Sequence, residues 1–418
     1  MRSDAGGEAE TADLIVVGAG AAGLATAIFS TRARPGLRVV CLDGAHTIGA
    51  KILVSGGTRC NVTNRTVTER DFWGGSPRAV KAVLHAFPAE RTAEFFHDIG
   101  VALHEEDDGK LFPDTNRART VLDALLAECA RCDIAICPGQ RVREVERTSD
   151  GLRVVTAAHE YRARAVVLAT GGRSLPKSGS DGFGYELARR LGHGHVETTP
   201  ALVPLLLGDE VHARLSGVSH RATVTVGVEG RSTRLEGSLL WTHFGASGPV
   251  VLDASRHWHR AALEGRAVTV RLNLLPRDTF ASLEQRLVDA ARLRPRATVA
   301  SVVGTEMPAS VAHAWIATAG LDPSAAIAQV PREGRRALVR LLVEMPLDVR
   351  GSRGYTYAEA TAGGVPLDEI DPATMASRLC PGLYLVGELL DVDGRLGGFN
   401  FQWAWSTGWV AGQAIGEL

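Results

Sequence analysis

Residues 16–24 read VVGAGAAGL, and this glycine-rich stretch determines the fold predicted for the start of the chain. Residues 13–17 form a short, largely apolar run rich in β-branched side chains, which indicates a buried strand. Residues 24–31, after the glycines, are small and apolar enough for a buried helix. Residues 38–43 then read as a second strand, so the chain opens with a βαβ unit of about 30 residues.

The glycines of this turn are spaced as a dinucleotide requires. Gly18 permits the tight turn, Gly20 lets a pyrophosphate approach the backbone, and Gly23 allows the helix and strand to pack closely. The helix that follows, with Ala22 in its first turn, offers free N–H groups and a positive dipole end to phosphates. Asp43 ends the second strand, where a carboxylate accepts hydrogen bonds from a ribose diol. The spacing predicts a dinucleotide site; the alternative is a glycine-rich turn in another α/β fold.

Composition excludes few classes of protein. With 418 residues, 45% hydrophobic and 22% charged, the chain is long enough for two or three ordinary globular domains. Its net charge of -1 argues against a dedicated nucleic-acid binder but leaves a local basic face possible. Residues 14–29 contain glycines and do not predict a membrane span, and residues 1–12 are polar and predicted to be disordered. Six cysteines without framework spacing predict reduced thiols and a cytoplasmic protein.

The sequence pattern changes along the chain and predicts an interrupted domain. Residues 13–195 form the first part of the nucleotide-binding domain, and residues 349–418 return to it. Between them, 196–276 alternate as antiparallel strands do, and 277–348 show helical periodicity. Further predicted elements are a helix at 122–130, a strand at 134–137, a hairpin of 141–147 with 152–157, and buried strands at 165–169 and 383–386.

Three distant segments favour FAD over NAD as the dinucleotide. Residues 169–172, ATGG, resemble the second FAD-contacting segment of flavoproteins with two dinucleotide-binding domains, and residues 382–388, GLYLVGE, resemble their C-terminal one. Residues 397–402, GGFNFQ, precede a C-terminal helix whose positive end can stabilise negative charge at flavin N1 and O2. The alternative interpretation of this last segment is a glycine-rich packing loop.

Four segments together resemble the HI0933-like flavoproteins, which are also described as aminoacetone-oxidase-family or bile-acid-reductase-like FAD enzymes. They are KILVSGGTRCNVTN (51–64), GSDGFGYELARRLGH (179–193), WTHFGASGP (241–249) and PGLYLVGELLDVDGRLGGFNFQWAWSTG (381–408). The resemblance implies a cytoplasmic bacterial enzyme of the α/β class, with a Rossmann-type FAD-binding domain interrupted by an antiparallel β-barrel and a small helical unit. Many relatives have a third glycine where this chain has Thr58, and threonine disfavours the positive φ that glycine allows.

Segment 51–64 has neither helical nor strand periodicity and is predicted to be a loop that runs from Asp43 toward the reactive ring of the flavin. With the glycine motif and the later segments, it completes the set of residues expected to contact FAD. That set is Gly18, Gly20, Ala22, Gly23, Asp43, Lys51, Gly56, Gly57, Arg59, Asn61, Val142, Thr170, Gly171, Gly387, Glu388, Gly398, Asn400 and Phe401.

The resemblance also implies a reaction. Members of the family are associated with reducing carbon–carbon double bonds of bile-acid intermediates, with reducing uracil in ribosomal RNA to dihydrouridine, and by name with amine oxidation. The first two share one step, in which flavin N5 hydride adds to a C=C next to a carbonyl. Asp181 and Gly182, which open a helix after ATGG, also resemble the fumarate-reductase group of alkene reductases. The leading hypothesis is therefore an FAD-dependent reductase of a small enone.

No second GxGxxG follows a strand, so a built-in NAD(P)H domain is not expected. NAD(P)H as co-substrate would dock transiently over the flavin, or another reductant would serve. The alternative functions are an RNA-modifying flavoenzyme, an amine oxidase and a non-catalytic flavin-binding regulator. RNA binding would require a basic face in the helical insertion, with the candidates Arg286, Arg292, Arg294, Arg296, Arg332, Arg335, Arg336 and Arg340; solvated helix faces explain these arginines equally well.

Three residues are candidates for catalysis. Arg59 could contact FAD or a developing enolate through its fork of donors, or be a solvated loop arginine. Cys60 beside it could be a thiol with a lowered pKa, or a small buried packing residue. His243 could protonate the carbon opposite the hydride, or be a satisfied structural histidine.

Two other polar groups have little predicted role in chemistry. Cys129, Cys132 and Cys137 lack a second ligand pair at zinc-finger spacing, so no metal is expected. The pair of acids at 391 and 393 is expected to cap a turn, with Arg395 neutralising one of them.

Overall fold

The computed structural model describes residues 10–208 and 210–418. Two units can be distinguished, one comprising the chain up to Pro200 together with Glu359–Leu418, the other Ala201–Ala358. The strands are β1 (Glu10–Val17), β2 (Val39–Leu42), β3 (Thr63–Asn64), β4 (Phe72–Gly74), β5 (Leu103–Glu106), β6 (Lys110–Pro113), β7 (Ala135–Cys137), β8 (Glu144–Thr148), β9 (Gly151–Val155), β10 (Glu160–Leu168), β11 (Val196–Ala201), β12 (Leu205–Leu207), β13 (Ser219–Val228), β14 (Arg231–Thr242), β15 (Gly245–Ser247), β16 (Val268–Asn273), β17 (Met345–Pro346), β18 (Val349–Ser352), β19 (Ala360–Gly364), β20 (Leu383–Leu385) and β21 (Val392–Gly394). The helices are α1 (Ala21–Ala33), α2 (Ala50–Thr58), α3 (Pro77–Ala86), α4 (Ala89–Asp98), α5 (Ala118–Arg131), α6 (Phe183–Arg190), α7 (Pro249–Leu263), α8 (Phe280–Leu293), α9 (Val299–Val303), α10 (Ala309–Thr318), α11 (Arg332–Val343) and α12 (Phe399–Gly416).

A parallel sheet organises the first unit. Strands β7, β2, β1 and β10 lie side by side in that order, and β20 pairs with the second half of β10. The antiparallel hairpin β8–β9 extends from the first half of β10. Because Val17 of β1 lies opposite Leu168 of β10, the glycine turn after one strand and the ATGG segment after the other share one sheet edge. That edge is where open α/β sheets bind ligands.

The first strand begins earlier than predicted. Residues 10–12 were expected to be disordered, but they pair in parallel with residues 161–163 of β10. Main-chain hydrogen bonding along the long β10 strand orders these polar residues. Residues 1–9 lie outside the part of the chain that the structure describes.

Helices α1 and α12 approach closely because α12 has glycine at every fourth position of the contact. A Cβ added at Gly408 would lie 2.8 Å from the Cβ of Ala25, and one at Gly412 would lie 2.7 Å from the Cβ of Phe29. At Gly416 it would lie 2.5 Å from the Cβ of Ala33. Distances this short exclude any larger side chain unless a backbone moves. The glycine contact therefore fixes the position of α12 on α1.

The second unit combines an antiparallel sheet with helices. Its strand order is β17, β16, β13, β14, β15, β12 and β18, so the two ends of the order are consecutive in the chain. One hydrophobic cluster joins the sheet to the helices and includes Leu283 and Leu287 of α8 with Leu338 and Leu342 of α11. The predicted β-barrel and helical insertion appear here as this seven-stranded sheet and these helices.

Helix α7 was not predicted, because residues 196–276 were read as strands throughout. Pro249 occupies the first turn of the helix, where proline is tolerated. Val250, Val251, Ala254 and Ala261 are buried along one side. Their spacing fits a helical period, which the short alternating segments on either side concealed.

Neither disulfides nor metal clusters contribute to the described fold. All six cysteines are free, and Cys41, Cys60 and Cys129 are buried. Within residues 10–208 and 210–418, no group of three or more His, Cys, Asp or Glu is arranged to hold a metal ion. No helix in that part of the chain is long and apolar enough to cross a membrane.

Replacing Gly412 by alanine should destabilise the protein. Glycine to alanine inside a helix ordinarily stabilises by up to about 1 kcal/mol, but the added methyl would meet Phe29 and the Ser30 backbone. We expect a net loss of about 1–3 kcal/mol, measured as a lower thermal midpoint. Gln413→Ala, at the adjacent half-buried position, is the control and should change the midpoint little. An unchanged or raised midpoint for Gly412→Ala would contradict the close contact.

Candidate functional site

The glycine turn after β1 is shaped by the surrounding backbone. Gly18 has φ +103° and donates its N–H to the Leu42 carbonyl at 2.8 Å. A Cβ at Gly18 would lie 2.5 Å from the Ala169 carbonyl oxygen, and a Cβ at Gly23 only 1.9 Å from the Gly18 carbonyl oxygen. At Gly20, by contrast, an added Cβ would have no atom within 4 Å. Two glycines are thus required by packing, while the third leaves open space where a pyrophosphate would lie.

Asp43 is fixed beside this turn. The N–H of Ala19 donates to its Oδ2 at 2.7 Å, and the N–H of Ala45 donates to its Oδ1 at 2.8 Å. The pKa of the Asp43 carboxyl is raised from its ordinary value, mainly by burial, and the two N–H bonds act against that rise. The carboxylate is therefore oriented along the glycine turn, as a ribose acceptor requires.

Val142 reaches the same region through backbone pairing. The N–H of Gln140 donates to the Asp43 carbonyl at 2.7 Å, and the N–H of Gly139 donates to the Ala45 carbonyl at 3.1 Å. Val142, two residues further on, is buried. This segment therefore runs beside Asp43, and a contact of Val142 with FAD stays a prediction.

The ATGG segment lies next to the glycine turn. The Ala169 N–H donates to the Val17 carbonyl at 2.9 Å, and Gly171 has φ +71°. The Thr170 hydroxyl is buried and has no hydrogen-bond partner among the residues that the structure describes. It faces Gly184 of α6, where an added Cβ would lie only 1.8 Å from the hydroxyl oxygen, so the ATGG segment packs closely against that helix.

The C-terminal glycine segment touches the first turn of α1. Gly387 has φ +70°, and a Cβ added there would lie 2.8 Å from the Cβ of Ala22. Its N–H donates to the Thr407 hydroxyl at 3.0 Å, and its carbonyl accepts from the Trp403 indole at 3.2 Å. Gly387 is therefore held between α1 and α12.

Helix α12 begins without a capping side chain. Its N-cap is Gly398, at φ +90°, and no acidic residue lies in its first turn. A Cβ at Gly398 would lie 2.5 Å from the Thr63 carbonyl. The Asn400 amide is engaged with Gly394, accepting from its N–H at 2.8 Å and donating to its carbonyl at 2.9 Å. The positive end of the helix is thus left without an acidic partner in its first turn.

Phe401 was expected to contact FAD, and its ring packs against α12 itself. It stacks on Trp405 with ring centroids 5.6 Å apart and an angle of 14° between the planes. Phe401 remains half-buried, so one side of the ring is not enclosed by this stack.

Segment 51–64 begins as a helix rather than as the predicted loop. The first turn of α2 buries Ile52, after which Ser55 is extended and Gly56 and Gly57 adopt left-handed conformations. Thr58 also has a positive φ, 70°, although threonine disfavours it. The short helical part escaped prediction because only about one turn precedes the irregular backbone.

The second half of this segment is bound to α12. With its amide oriented to satisfy its neighbours, Asn61 donates to the carbonyls of Leu111 (3.1 Å) and Thr63 (2.8 Å) and accepts from the Gly398 N–H (3.1 Å). The Thr63 hydroxyl donates to Gln402 Oε1 at 2.6 Å. The Asn61 side chain, predicted as a donor to FAD, is therefore used within the protein.

Lys51 and Glu388 form an ion pair in which two further residues take part. Lys51 Nζ contacts Glu388 Oε2 and donates to the Ser174 hydroxyl at 2.5 Å. Glu388 Oε1 accepts from Ser174 at 2.8 Å and from the Thr361 N–H at 2.8 Å. Sequence reasoning missed Ser174 and Thr361. Ser174 lies only three residues after Gly171, which was a usable signal, whereas Thr361 has none.

Arg59 and Cys60 are both engaged by the protein. The Arg59 guanidinium donates to Glu106 at 2.6 Å and lies 4.1 Å from the Phe112 ring centroid. This bond is the main reason that the pKa of Glu106 is lowered. Cys60 has no exposed surface, and burial raises the pKa of its thiol to about 12. The site around Cys60 thus disfavours a thiolate.

His243 belongs to the second unit, in the two-residue turn between β14 and β15. It is exposed, and its ring packs edge-on against Phe244 with centroids 5.0 Å apart. Its role as a proton donor stays a prediction.

Arg395 pairs differently from the prediction. Its Nε lies 3.0 Å from Asp71 Oδ1, and its guanidinium lies 4.5 Å from the Phe399 ring centroid. It was expected to neutralise Asp391 or Asp393, but the antiparallel pairing of β21 with β4 brings Asp71 beside it.

These features fit FAD. Gly20 leaves space for the pyrophosphate, Asp43 is oriented for the ribose, and α1 and α12 both begin without an acidic residue in the first turn. An anionic pyrophosphate and a flavin that gains negative charge on reduction both suit such helix ends.

The sequence matches the HI0933-like protein Rossmann domain over residues 12–414. It is 32% identical over 406 residues to the ribosomal RNA dihydrouridine synthase of Escherichia coli, covering 97% of this chain and 98% of that protein. It is 32% identical over 404 residues to the 3-dehydro-bile acid delta(4,6)-reductase of Clostridium scindens, covering 96% and 98%. The solved structure of 3-ketosteroid delta1-dehydrogenase from Sterolibacterium denitrificans matches with a TM-score of 0.51 at 14% identity, covering 98% of this chain and 100% of that one. The structural likeness shows a shared fold, and the two sequence relatives share nearly their full length with this chain. The chain therefore belongs to the HI0933-like family of FAD-dependent oxidoreductases.

Proposed function

We propose that this enzyme reduces a carbon–carbon double bond conjugated to a carbonyl, with FAD as the hydride carrier and NAD(P)H as the electron source. The observation that carries the proposal is the pair of helices α1 and α12. They are held together by glycine contacts, and both begin without a capping side chain or an acidic residue in the first turn. Such a pair of helix ends favours both the pyrophosphate and the negative charge of a reduced flavin.

The relatives support the reaction class. Dihydrouridine forms from uridine when the ring double bond that is conjugated to a carbonyl is reduced. A delta(4,6)-reductase also reduces ring double bonds. One relative acts on RNA and the other on a bile acid, so they support a common step and leave the substrate class open. A small enone is the first candidate substrate. A cytoplasmic location is also part of the proposal.

Within this scheme each residue of the site has a defined task. FAD, when bound, would supply the hydride for the carbon β to the carbonyl, and a proton from water would complete the reduction at the α carbon. Asp43 accepts from the ribose hydroxyls, and the first-turn N–H groups of α1 bind the pyrophosphate. The N-terminus of α12 stabilises negative charge that develops on the ring system. The Lys51–Glu388 pair, with Ser174, holds the start of α2 against the segment after β20.

A second candidate substrate is a uridine in ribosomal RNA. The specific observation in its favour is the stretch 292–296, RLRPR, in which every residue is exposed. Its arginines have no ion pair with a described residue, whereas Arg286 is bound to Asp278 at 2.7 Å and to Glu306. An exposed cluster of arginines suits contact with phosphates.

The test compares dihydrouridine in ribosomal RNA from a deletion strain and its parent. Loss of one dihydrouridine, restored by the intact gene, supports the RNA substrate. Unchanged RNA, together with NAD(P)H-dependent reduction of a conjugated enone by the purified protein, supports a small molecule. If both of these results are absent, the reductase proposal is contradicted, and an amine oxidase or a flavin-binding regulator is favoured.

Asp43→Ala should weaken FAD binding by about 10- to 100-fold, because a charged acceptor is lost. Titration of the apoprotein with FAD, followed by flavin fluorescence, measures the Kd. Asp13→Ala is the matched control, since Asp13 Oδ2 also accepts a backbone N–H, from Arg38 at 3.0 Å, but at the start of β2, whereas Asp43 follows the end of that strand. An unchanged Kd for Asp43→Ala, or an equal loss for Asp13→Ala, would exclude Asp43 from the site.

Cys60→Ala should keep full FAD content and turnover, because a buried thiol with a pKa of about 12 supplies no thiolate at neutral pH. Iodoacetamide labelling of the native protein, mapped by mass spectrometry, should modify the half-buried Cys132 and Cys137 well before Cys60. Lost turnover with normal FAD content, or rapid labelling of Cys60, would show that the thiol takes part in chemistry.

A further inference from the structure

Four side chains of the second unit, two exposed and two half-buried, form a surface rich in aromatic rings. His243 and Phe244 make the turn between β14 and β15, and Arg353 and Tyr357 follow β18. We call these four residues the stacking surface. The reduction chemistry proposed above assigns a task to none of them, and a role for His243 as a proton donor stays a prediction from the sequence.

The Arg353 guanidinium contacts two rings of this surface. Its central carbon lies 3.4 Å from the ring centroid of Tyr357 and 4.7 Å from that of Phe244. Among the residues that the structure describes, no carboxylate pairs with this guanidinium. Its positive charge is therefore held in place by aromatic faces and is not neutralised by an acid.

Backbone contacts hold the stacking surface in position. The Arg353 N–H donates to the Pro204 carbonyl at 3.1 Å, and the Tyr357 N–H donates to the Gly354 carbonyl at 3.1 Å. The Ser352 hydroxyl contacts His259 Nε2 at 2.7 Å and accepts from the Gly354 N–H at 3.2 Å. Because the segment is ordered by these bonds, little further ordering is needed when a ligand binds.

Two of the three rings of this surface, those of His243 and Tyr357, are exposed. Tyr357 is 49% exposed, one of the few large apolar or aromatic side chains left so open, and His243 is exposed as well. Apolar small molecules are usually enclosed in a concave pocket, whereas bases of single-stranded nucleic acids stack on exposed aromatic rings beside cationic side chains.

We propose that the stacking surface binds single-stranded RNA, with an unpaired base stacked on Tyr357 and the Arg353 guanidinium donating to a carbonyl oxygen or phosphate of the same strand. The proposal rests on the second candidate function, reduction of uridine in ribosomal RNA. It assigns the recognition of the strand to residues of the second unit that lie outside the FAD motifs.

The test measures binding of a uridine-rich, fluorescein-labelled single-stranded RNA oligonucleotide to the oxidised, FAD-loaded protein by fluorescence anisotropy at low salt. Tyr357→Ala should raise the Kd by about 5- to 100-fold, while Tyr357→Phe, which keeps the ring, should bind as the wild type does. Arg353→Lys keeps the charge but not the planar fork, so it should weaken binding at unchanged salt dependence. Arg353→Ala should reduce the salt slope by about 1.

Arg350→Ala is the matched control. Arg350 is an exposed arginine on β18 that pairs with Asp348 at 2.7 Å, so its removal also deletes one charge. It should leave the Kd nearly unchanged. FAD absorbance and the thermal midpoint of each variant verify that the fold is intact.

The proposal is overturned if the wild type does not bind the oligonucleotide, if Tyr357→Ala binds as tightly as the wild type, or if Arg350→Ala weakens binding as much as Arg353→Ala. These outcomes are separate from a failure of the chemistry, because binding is measured without a reductant. RNA that binds normally but is never reduced would contradict the uridine function and leave the stacking surface supported. If Tyr357→Ala binds the oligonucleotide and forms dihydrouridine as the wild type does, the uridine function is supported and the stacking surface is contradicted.

Discussion

The close approach of backbones at glycines is the constraint on which the site depends. Gly23 packs against the Gly18 carbonyl, and Gly408 and Gly412 bring α12 onto α1 at distances that no side chain could occupy. Gly387 meets Ala22 in the same way. These contacts join the glycine turn and α1 to two segments that lie hundreds of residues further along the chain, and they fix two helix N-termini in one unit.

The electrostatics of the site follow from that packing. The first turns of α1 and α12 carry no acidic residues, so the positive helix ends are not cancelled from within. Asp43 places a carboxylate beside the glycine turn, and Lys51 is matched by Glu388. The site can therefore hold an anionic cofactor largely through backbone groups, which explains why glycine outnumbers charged residues in its motifs.

The sequence allowed the βαβ unit, the place of Asp43 directly after the second strand and the return of the chain to its first domain to be predicted, because each depends on local patterns. It did not reveal that Asn61 bonds with Gly398 or that Arg59 bonds with Glu106. Those partners lie far along the chain, and a polar residue in a motif looks the same whether it contacts a cofactor or the protein. Thr58 taking a positive φ is similar, since tertiary contacts overrode a local preference.

The central claim is that reduced FAD in this site gives its hydride to a conjugated C=C. The most direct measurement is anaerobic stopped-flow absorbance of the chemically reduced holoprotein mixed with a uridine-bearing ribosomal RNA fragment or a conjugated enone. The account predicts that the oxidised flavin band returns and that one equivalent of alkene is reduced per flavin. A flavin that stays reduced with every alkene, yet is reoxidised on admission of air, would contradict it.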